Sequence, residues 1–322
     1  MYPFIFKPIL KDYLWGGTAI RPFKGMSPNG EKVAESWELS HVEGNYSVVT
    51  NGDLAGKTID ELIWLYGGKL SGEKVIQRFG HTFPLLIKLI DARDNLSIQV
   101  HPGDELARTR HQSFGKTEMW YVIKADPGAT LYSGFSQQID EEEFIRRVGD
   151  HSITSVLKRY EVREGDVFFL PAGRIHAICA GCLIAEIQQT SDITYRIYDY
   201  DRKDANGKNR ELHIELAKEV IDYTVYPHYR TTYTPQPNHV VPLVQCAYFT
   251  TNLLELDLPV ERDYTTLDSF IIYVCLKGKA ILQDDNKNKL TIQQGHTVLV
   301  PAIIRNIQII PEAQTKLLEI YN

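Results

Sequence analysis

The stretch Gly165-Asp-Val-Phe-Phe-Leu-Pro171-Ala-Gly173-Arg-Ile-His176 reads as an apolar strand, a tight turn and a histidine on the return strand. Val167 to Leu170 is short and apolar, with the aromatic and β-branched side chains that suit a pleated, buried surface. Pro171 presets the backbone of the turn, and Gly173 supplies a conformation that other residues resist. Further along, Gly295-His-Thr-Val-Leu-Val-Pro301-Ala302 repeats the pattern of Gly165 to Ala172. Upstream, Ile272-Tyr-Val274 repeats Trp120-Tyr-Val122. Two copies of one β unit are the economical reading.

Outward from these copies, apolar runs recur between Gly, Pro, Asn and Asp clusters: 96–100, 119–123, 167–170, 182–187, 270–276 and 297–300. With 18 Tyr and 12 Phe, this spacing predicts a mainly β fold, a sandwich or barrel. Helices are expected only as flanking elements. Thr58 and Glu61 form a capping-box pattern ahead of 59–65, closed by Gly67-Gly68. Asp140 caps 141–148, and 152–160 and 212–223 are two further candidates. Residues 226–242 hold four prolines and no clear period, and are read as a linker. The expected division is 1–238 and 239–322, with N-terminal strands available to the second unit.

Composition narrows the function. The 322 residues are 43% hydrophobic and 24% charged, as in ordinary globular chains. Lys and Arg total 35 against 41 Asp and Glu, a net charge of −6. That balance is a poor match to nucleic acid or an anionic membrane surface. No apolar run approaches the roughly 18 residues of a membrane span. Residues 1–10 lack the charged start and apolar core of a signal peptide, so a cytoplasmic location is expected. Four cysteines are too few for a disulfide framework. Cys179 and Cys182 form a CxxC, read as a structural turn rather than a redox pair. Neither common phosphate-binding glycine loop occurs, which argues against nucleotide use.

The chemistry-bearing residues gather in three segments. In Leu96-Ser-Ile-Gln-Val-His101, alternation puts Leu96, Ile98 and Val100 on one face and Ser97, Gln99 and His101 on the other. That polar face suits either solvent or the mouth of a barrel, where Gln and His two apart converge on one ion. His176 follows the Pro-Gly turn. A divalent ion such as zinc takes nitrogen and oxygen donors, so a carboxylate is sought as third ligand. Glu118 opens the apolar strand between the two His-bearing segments, where an unpaired carboxylate is costly to bury. A strand-end glutamate in water is the plainer alternative. His101, Glu118 and His176, with Gln99 as a candidate fourth ligand, leave room for water or substrate, the arrangement of a catalytic site. The remaining eight histidines show no ligand spacing. In the repeat, Phe270 falls opposite Glu118 and Asn306 opposite His176, so the second copy is expected to hold no metal.

The Gly, Pro, Gly, His spacing of 165–176 resembles the second signature motif of the cupin superfamily. More specifically, the chain resembles the type I mannose-6-phosphate isomerases, in the short form of many bacteria. The motifs are Trp15-Gly-Gly17, Glu35-Ser-Trp37, FPLLIKLIDA at 83–92, LSIQVHP at 96–102, GKTEMWY at 115–121, PAGRIH at 171–176 and EIQQTSDITYR at 186–196. The resemblance implies two cupin-type jelly-roll barrels and a zinc enzyme, one ion per chain, interconverting mannose 6-phosphate and fructose 6-phosphate. It implies Gln99, His101, Glu118 and His176 as metal ligands, Arg196 as the active-site arginine and Glu186 as the proton-transfer base. Ser97, Lys88 and Lys116 match polar positions of the substrate pocket. Longer relatives follow the arginine with a Gly-Leu-x-Pro-Lys run, and here Arg202 stands in for that lysine as a phosphate contact. The implied partner is a small phosphosugar, and the chain is expected as monomer or homodimer. Two other readings compete: a metal-dependent cupin dioxygenase, which prefers iron and a His-rich site, and a non-catalytic sugar-binding regulator. In the plainer reading of Arg196, it pairs at the surface with Asp199 or Asp201. Trp15 and Trp37 are read as packing anchors.

Overall fold

In the computed structural model, which describes residues 1–203 and 207–322, the chain is mainly β, built from two double-sheet barrels. The first barrel faces a seven-stranded sheet with a five-stranded one. The seven run in the order Arg230–Thr231, Val167–Leu170, Glu118–Ala125, Cys182–Gln189, Leu85–Ala92, Glu35–Leu39 and Ile9–Lys11. The five are Leu157–Glu161, Thr130–Phe135, His176–Ile178, Ile98–Val100 and Tyr195–Tyr198. Every pairing is antiparallel. Trp120, Val122, Phe168 and Ile184 from one sheet meet Leu131 and Ile178 from the other, and fill one end of the interior.

The second barrel repeats the plan. Its seven-stranded sheet is Val240–Gln245, Thr250–Leu256, Thr315–Tyr321, Ile271–Lys277, Thr297–Val300, Phe4–Lys7 and Val48–Val49. Its four-stranded sheet is Val260–Asp263, Asn306–Pro311, Lys279–Asp284 and Lys289–Gln293. Phe4 and Ile5 pair with Leu299 and Val298, so the first strand of the chain closes the sheet of its last region. The two large sheets pack through their outer faces. Met119, Tyr121 and Ile187 share one core with Ile272, Leu318 and Ile320, and with Ile59, Leu62 and Ile63 of a helix. On the far side, Phe144 and Val148 of another helix cover Ile98, Val100 and Ala177.

Local signals account for the helices. Thr58 Oγ1 accepts from Glu61 N at 3.1 Å and Glu61 Oε2 accepts from Thr58 N at 2.8 Å, a complete capping box for Ile59–Tyr66. Asp140 accepts from Glu143 N at the start of Glu141–Gly149. Two expected helices differ. Within 152–160 only the single turn Ile153–Val156 is helical, and Leu157–Glu161 is an edge strand paired with Thr130–Phe135. Its exposed Lys158 and Arg159 hide the alternation, as charged edge strands do. The helix expected at 212–223 shrinks to Ile214–Lys218, because Asp222 N bonds back to Gly173 O. The stretch read as a linker is partly sheet: Arg230 and Thr231 pair with Phe168 and Val167, and Val240 begins the next strand. Gly173 sits at φ +86°, and a Cβ there would meet Val220 O at 2.7 Å, so both backbone and packing demand glycine.

The repeat is real, but its register is one residue from the expected one. Leu170 pairs with Glu118 in the first barrel, and its counterpart Val300 pairs with Ile271 in the second. Ile271, not Phe270, therefore occupies the place of Glu118. Asn306 is exposed, and Ile307 takes the inward position next to it.

Candidate metal centre and active-site cavity

The strand Ile98–Val100 sends Gln99 inward, and His101 follows it into the same interior. Ile98 and Val100 face the covering helices, as alternation requires. Leu96, expected on their face, precedes the strand and instead joins the interior cluster. Glu118 opens its strand, and His176 begins the strand after the Pro-Gly turn, paired with Gln99. One ligand atom from each of His101, Glu118 and His176 lies within 4.8 Å of the others, and the three residues are 0–1% exposed.

The imidazoles are oriented from behind. His101 Nδ1 donates to the Ile193 carbonyl at 2.9 Å and His176 Nδ1 donates to the Arg174 carbonyl at 2.8 Å. That fixes each tautomer and leaves the Nε2 lone pairs aimed at a common point, the usual outer support of metal-bound histidine. His176 Nε2 lies 3.2 Å from Glu118 Oε1, and His101 Nε2 lies 3.5 Å from Glu118 Oε2. Yet among the described residues His101 Nε2 and Glu118 Oε1 have no hydrogen-bond partner, and Glu118 Oε2 has only the Lys116 ammonium 3.3 Å away. Acceptors buried this deeply are orphaned only at a cost that a cation would remove. The Gln99 amide stands beside them, its Nε2 3.4 Å from His176 Nε2. Two neutral imidazoles, a carboxylate and an amide are a donor set that fits a divalent cation.

The electrostatics agree. Burial, with the Lys116 charge behind it, pushes His101 well below the usual imidazole range. Burial likewise takes His176 down to about 4, against the pull of the Arg174 carbonyl, so both rings are neutral at physiological pH. Burial and then the Glu186 charge push Glu118 up to about 8 when no cation is present. Glu186 goes the other way. Burial opposes its charge, but Lys88, Lys116 and the Trp120 indole outweigh it and hold the carboxyl down to about 2. Lys88 Nζ lies 3.1 Å from Glu186 and 3.7 Å from Glu35, and these carboxylates raise its pKa despite complete burial. Each carboxylate is held by an indole: Trp120 Nε1 donates to Glu186 at 2.8 Å, Trp37 Nε1 to Glu35 at 2.6 Å.

A cavity of about 350 Å³ opens beside this cluster, lined by Gln99, Lys88, Glu186 and Glu35 but not by His101, Glu118 or His176. Ser97, Lys88, Lys116, Gln99, Glu186 and Arg196 all line it. Arg196 is not paired with Asp199 or Asp201. It donates to the Glu211 carbonyl at 2.9 Å, and its buried Nε has no partner among the described residues. Asp199 is held instead by Arg202 and by Arg210, whose Nε lies 2.7 Å away. Arg202 is not among the cavity residues, and Arg210 is. Trp15 and Trp37, read as packing anchors, also line the cavity, with Glu35. Alternation along Glu35-Ser-Trp37 could have found that glutamate, whereas nothing local marks Arg210. Cys179 and Cys182 are buried free thiols, and burial pushes Cys182 up to about 12. Among the described residues no helix is long and apolar enough to cross a membrane.

Sequence comparisons place the chain among known proteins. Residues 4–121 match the phosphomannose isomerase type I catalytic domain, and residues 240–322 match the mannose-6-phosphate isomerase cupin domain. The probable mannose-6-phosphate isomerase GmuF of Bacillus subtilis is 41% identical over 77% of this chain and 78% of its own length. The chain belongs to the type I phosphomannose isomerase family. The mannose-6-phosphate isomerase ManA of the same organism is 40% identical over 77% of each chain. The crystal structure of a B. subtilis mannose 6-phosphate isomerase superposes with a TM-score of 0.86, at 30% identity over 99% of both chains. A Salmonella typhimurium phosphomannose isomerase structure, 16% identical, shares the fold over the whole of both chains with a TM-score of 0.81. This family member is an isomerase with a cupin-type fold and a His-Glu-His group suited to a metal ion.

Proposed function

We propose that the chain interconverts D-mannose 6-phosphate and D-fructose 6-phosphate, with one zinc ion held by Gln99, His101, Glu118 and His176. The observation that carries this reading is one cavity lined by Gln99, a buried Lys88–Glu186 pair and two arginines, with the His101, Glu118 and His176 cluster packed beside Gln99. Gln99 would join through its oxygen once the amide turns over. A bound divalent ion supplies positive charge for sugar oxygens. The remaining chemistry belongs to the chain.

Moving a proton between C1 and C2 of the sugar calls for a carboxylate that is ionised before it acts. Glu186 meets that condition, and Lys88 keeps it so. The same ammonium weakens it as a base, so proton abstraction goes with a shift of Lys88 onto a substrate oxygen. Arg196 stays cationic and offers a planar fork to the oxyanion of the enediolate. Arg210, steadied by Asp199, receives the phosphate. Ser97 and Lys116 hold sugar hydroxyls. In this reading 1–238 is the catalytic unit, 239–322 is metal-free, and the enzyme works in the cytoplasm. The test is the purified protein with mannose 6-phosphate, assayed for the ketose before and after chelation and after zinc is returned. Activity lost and restored is expected. No ketose from zinc-loaded protein overturns the substrate, and full turnover after complete chelation overturns the metal.

A further inference from the structure

The second barrel touches the first at a residue that faces neither substrate nor metal. Asp104 lies three residues beyond His101, at the start of the helix Asp104–His111. Its Oδ1 accepts from Gly115 N and from Gln189 Nε2, each at 2.9 Å. Its Oδ2 accepts from Tyr248 Oη at 2.8 Å. Each donor comes from a different segment. Gly115 leads into Glu118, and Lys116 N adds a bond to the Pro102 carbonyl at 3.0 Å. Gln189 ends the strand that carries Glu186, and its Oε1 accepts from Thr117 N at 2.9 Å. Tyr248 sits in the turn between Val240–Gln245 and Thr250–Leu256 of the second barrel, where Asn322 Nδ2 donates to its carbonyl. The packing at this point has no slack: a Cβ on Gly115 would come within 2.6 Å of Asp104 N.

We propose that Asp104 is a positioning residue that sets the spacing of the metal ligands, and that the second barrel acts on the active site by holding Asp104 through Tyr248. One carboxylate ties the segment after His101 to the segment before Glu118 and to the end of the Glu186 strand. Releasing it lets these three segments move apart by tenths of an ångström, without removing any ligand. Asp104 does not line the cavity, so its loss leaves sugar contacts in place. The inference rests on the metal centre proposed above.

The test is zinc titration of the metal-free protein against a competing chromophoric chelator, with kcat and KM measured at limiting and at saturating zinc. Outer-shell changes of this kind typically cost about 10–100-fold in metal affinity. Asp104→Ala is expected to weaken zinc binding in that range, with KM for the sugar unchanged and kcat recovering in excess zinc. Asp104→Asn keeps an acceptor for Gly115 and Gln189 and should recover most of the affinity. Tyr248→Phe removes only the link to the second barrel and should fall between, and it answers the question should Asp104→Ala not fold. Wild-type affinity in Asp104→Ala, or a lower melting temperature with affinity unchanged, overturns the positioning role. Wild-type behaviour in Tyr248→Phe overturns the role of the second barrel. A wild-type protein that takes up no zinc would instead sink the metal centre itself.

Discussion

The two barrels place a glutamate at the same register and do opposite things with it. In the first, Glu186 pairs across the sheet with Lys88 on one side and Trp120 on the other. In the second, Glu319 pairs with Asn252 and Tyr273. Since Trp120 and Tyr273 pair in turn with the repeat counterparts Phe168 and Val298, these are equivalent triads. Glu319 is saturated. It accepts from Arg262 Nε at 2.8 Å and Nη2 at 3.0 Å, from Asn252 at 2.9 Å and from the Tyr264 hydroxyl, which also meets Tyr273. Burial and these neighbours hold both tyrosines far above the usual phenol range. In the first barrel Glu186 lines a cavity instead, and nearby Glu118 Oε1 has no hydrogen-bond partner among the described residues. A buried network with every member bonded favours one packing. A buried network with polar atoms left over can take a ligand. The same strands serve both, and the difference lies in which polar atoms are left over.

The comparison breaks most readily at the ligands. Glu118→Ala or His176→Ala should lose zinc and lower turnover by more than the roughly 100-fold ceiling of outer-shell changes, read from zinc content and kcat. Full metal and turnover in His176→Ala would leave the two barrels chemically alike. Next comes Arg196→Ala, expected to lower kcat by about two to three orders of magnitude, as for one lost oxyanion donor. Its zinc content and melting temperature should stay put, and Arg196→Lys should recover only part, because a point charge cannot replace the planar fork. In the second barrel, Glu319→Ala leaves Arg262, Asn252 and Tyr264 without their acceptor. Denaturant unfolding should show a loss of about 3–5 kcal/mol, the usual cost of breaking a buried pair. Zinc content and kcat per folded molecule should not change, and a fall in either would mean that Glu319 does more than fill the core. Smallest is Arg210→Ala, which should raise KM for the phosphosugar about tenfold with kcat nearly intact, the worth of one charge-assisted contact. An unchanged KM would move phosphate binding elsewhere.

Much of this was legible in the residues. Alternation from Leu96 to His101 put Gln99 and His101 on one face, and the Pro-Gly turn placed His176 opposite. The register of the second copy was not legible. Phe270, Ile271, Ile272, Tyr273 and Val274 are all buried, because both faces of that strand are covered. A strand without alternation carries no mark of which side faces in, so the repeat could slide by one residue. Arg210 escaped for another reason: it reaches the cavity through a bond to Asp199, eleven residues earlier, with no period linking them. Arg202 is the nearer cation in sequence, but it does not line the cavity.

The pairing of Phe4 and Ile5 with Leu299 and Val298 also governs how the chain is made. Translation releases Phe4 well before Val298, with the whole first barrel and most of the second between them. Through that interval the second sheet lacks an inner strand, and Thr297–Val300 emerges with an open edge that invites pairing with another nascent chain. Contacts of such long sequence separation form late. Nascent chains halted before Thr297 should leave Phe4–Lys7 open to protease while the first barrel is already resistant, and protection of both at that point would mean the order of assembly is different.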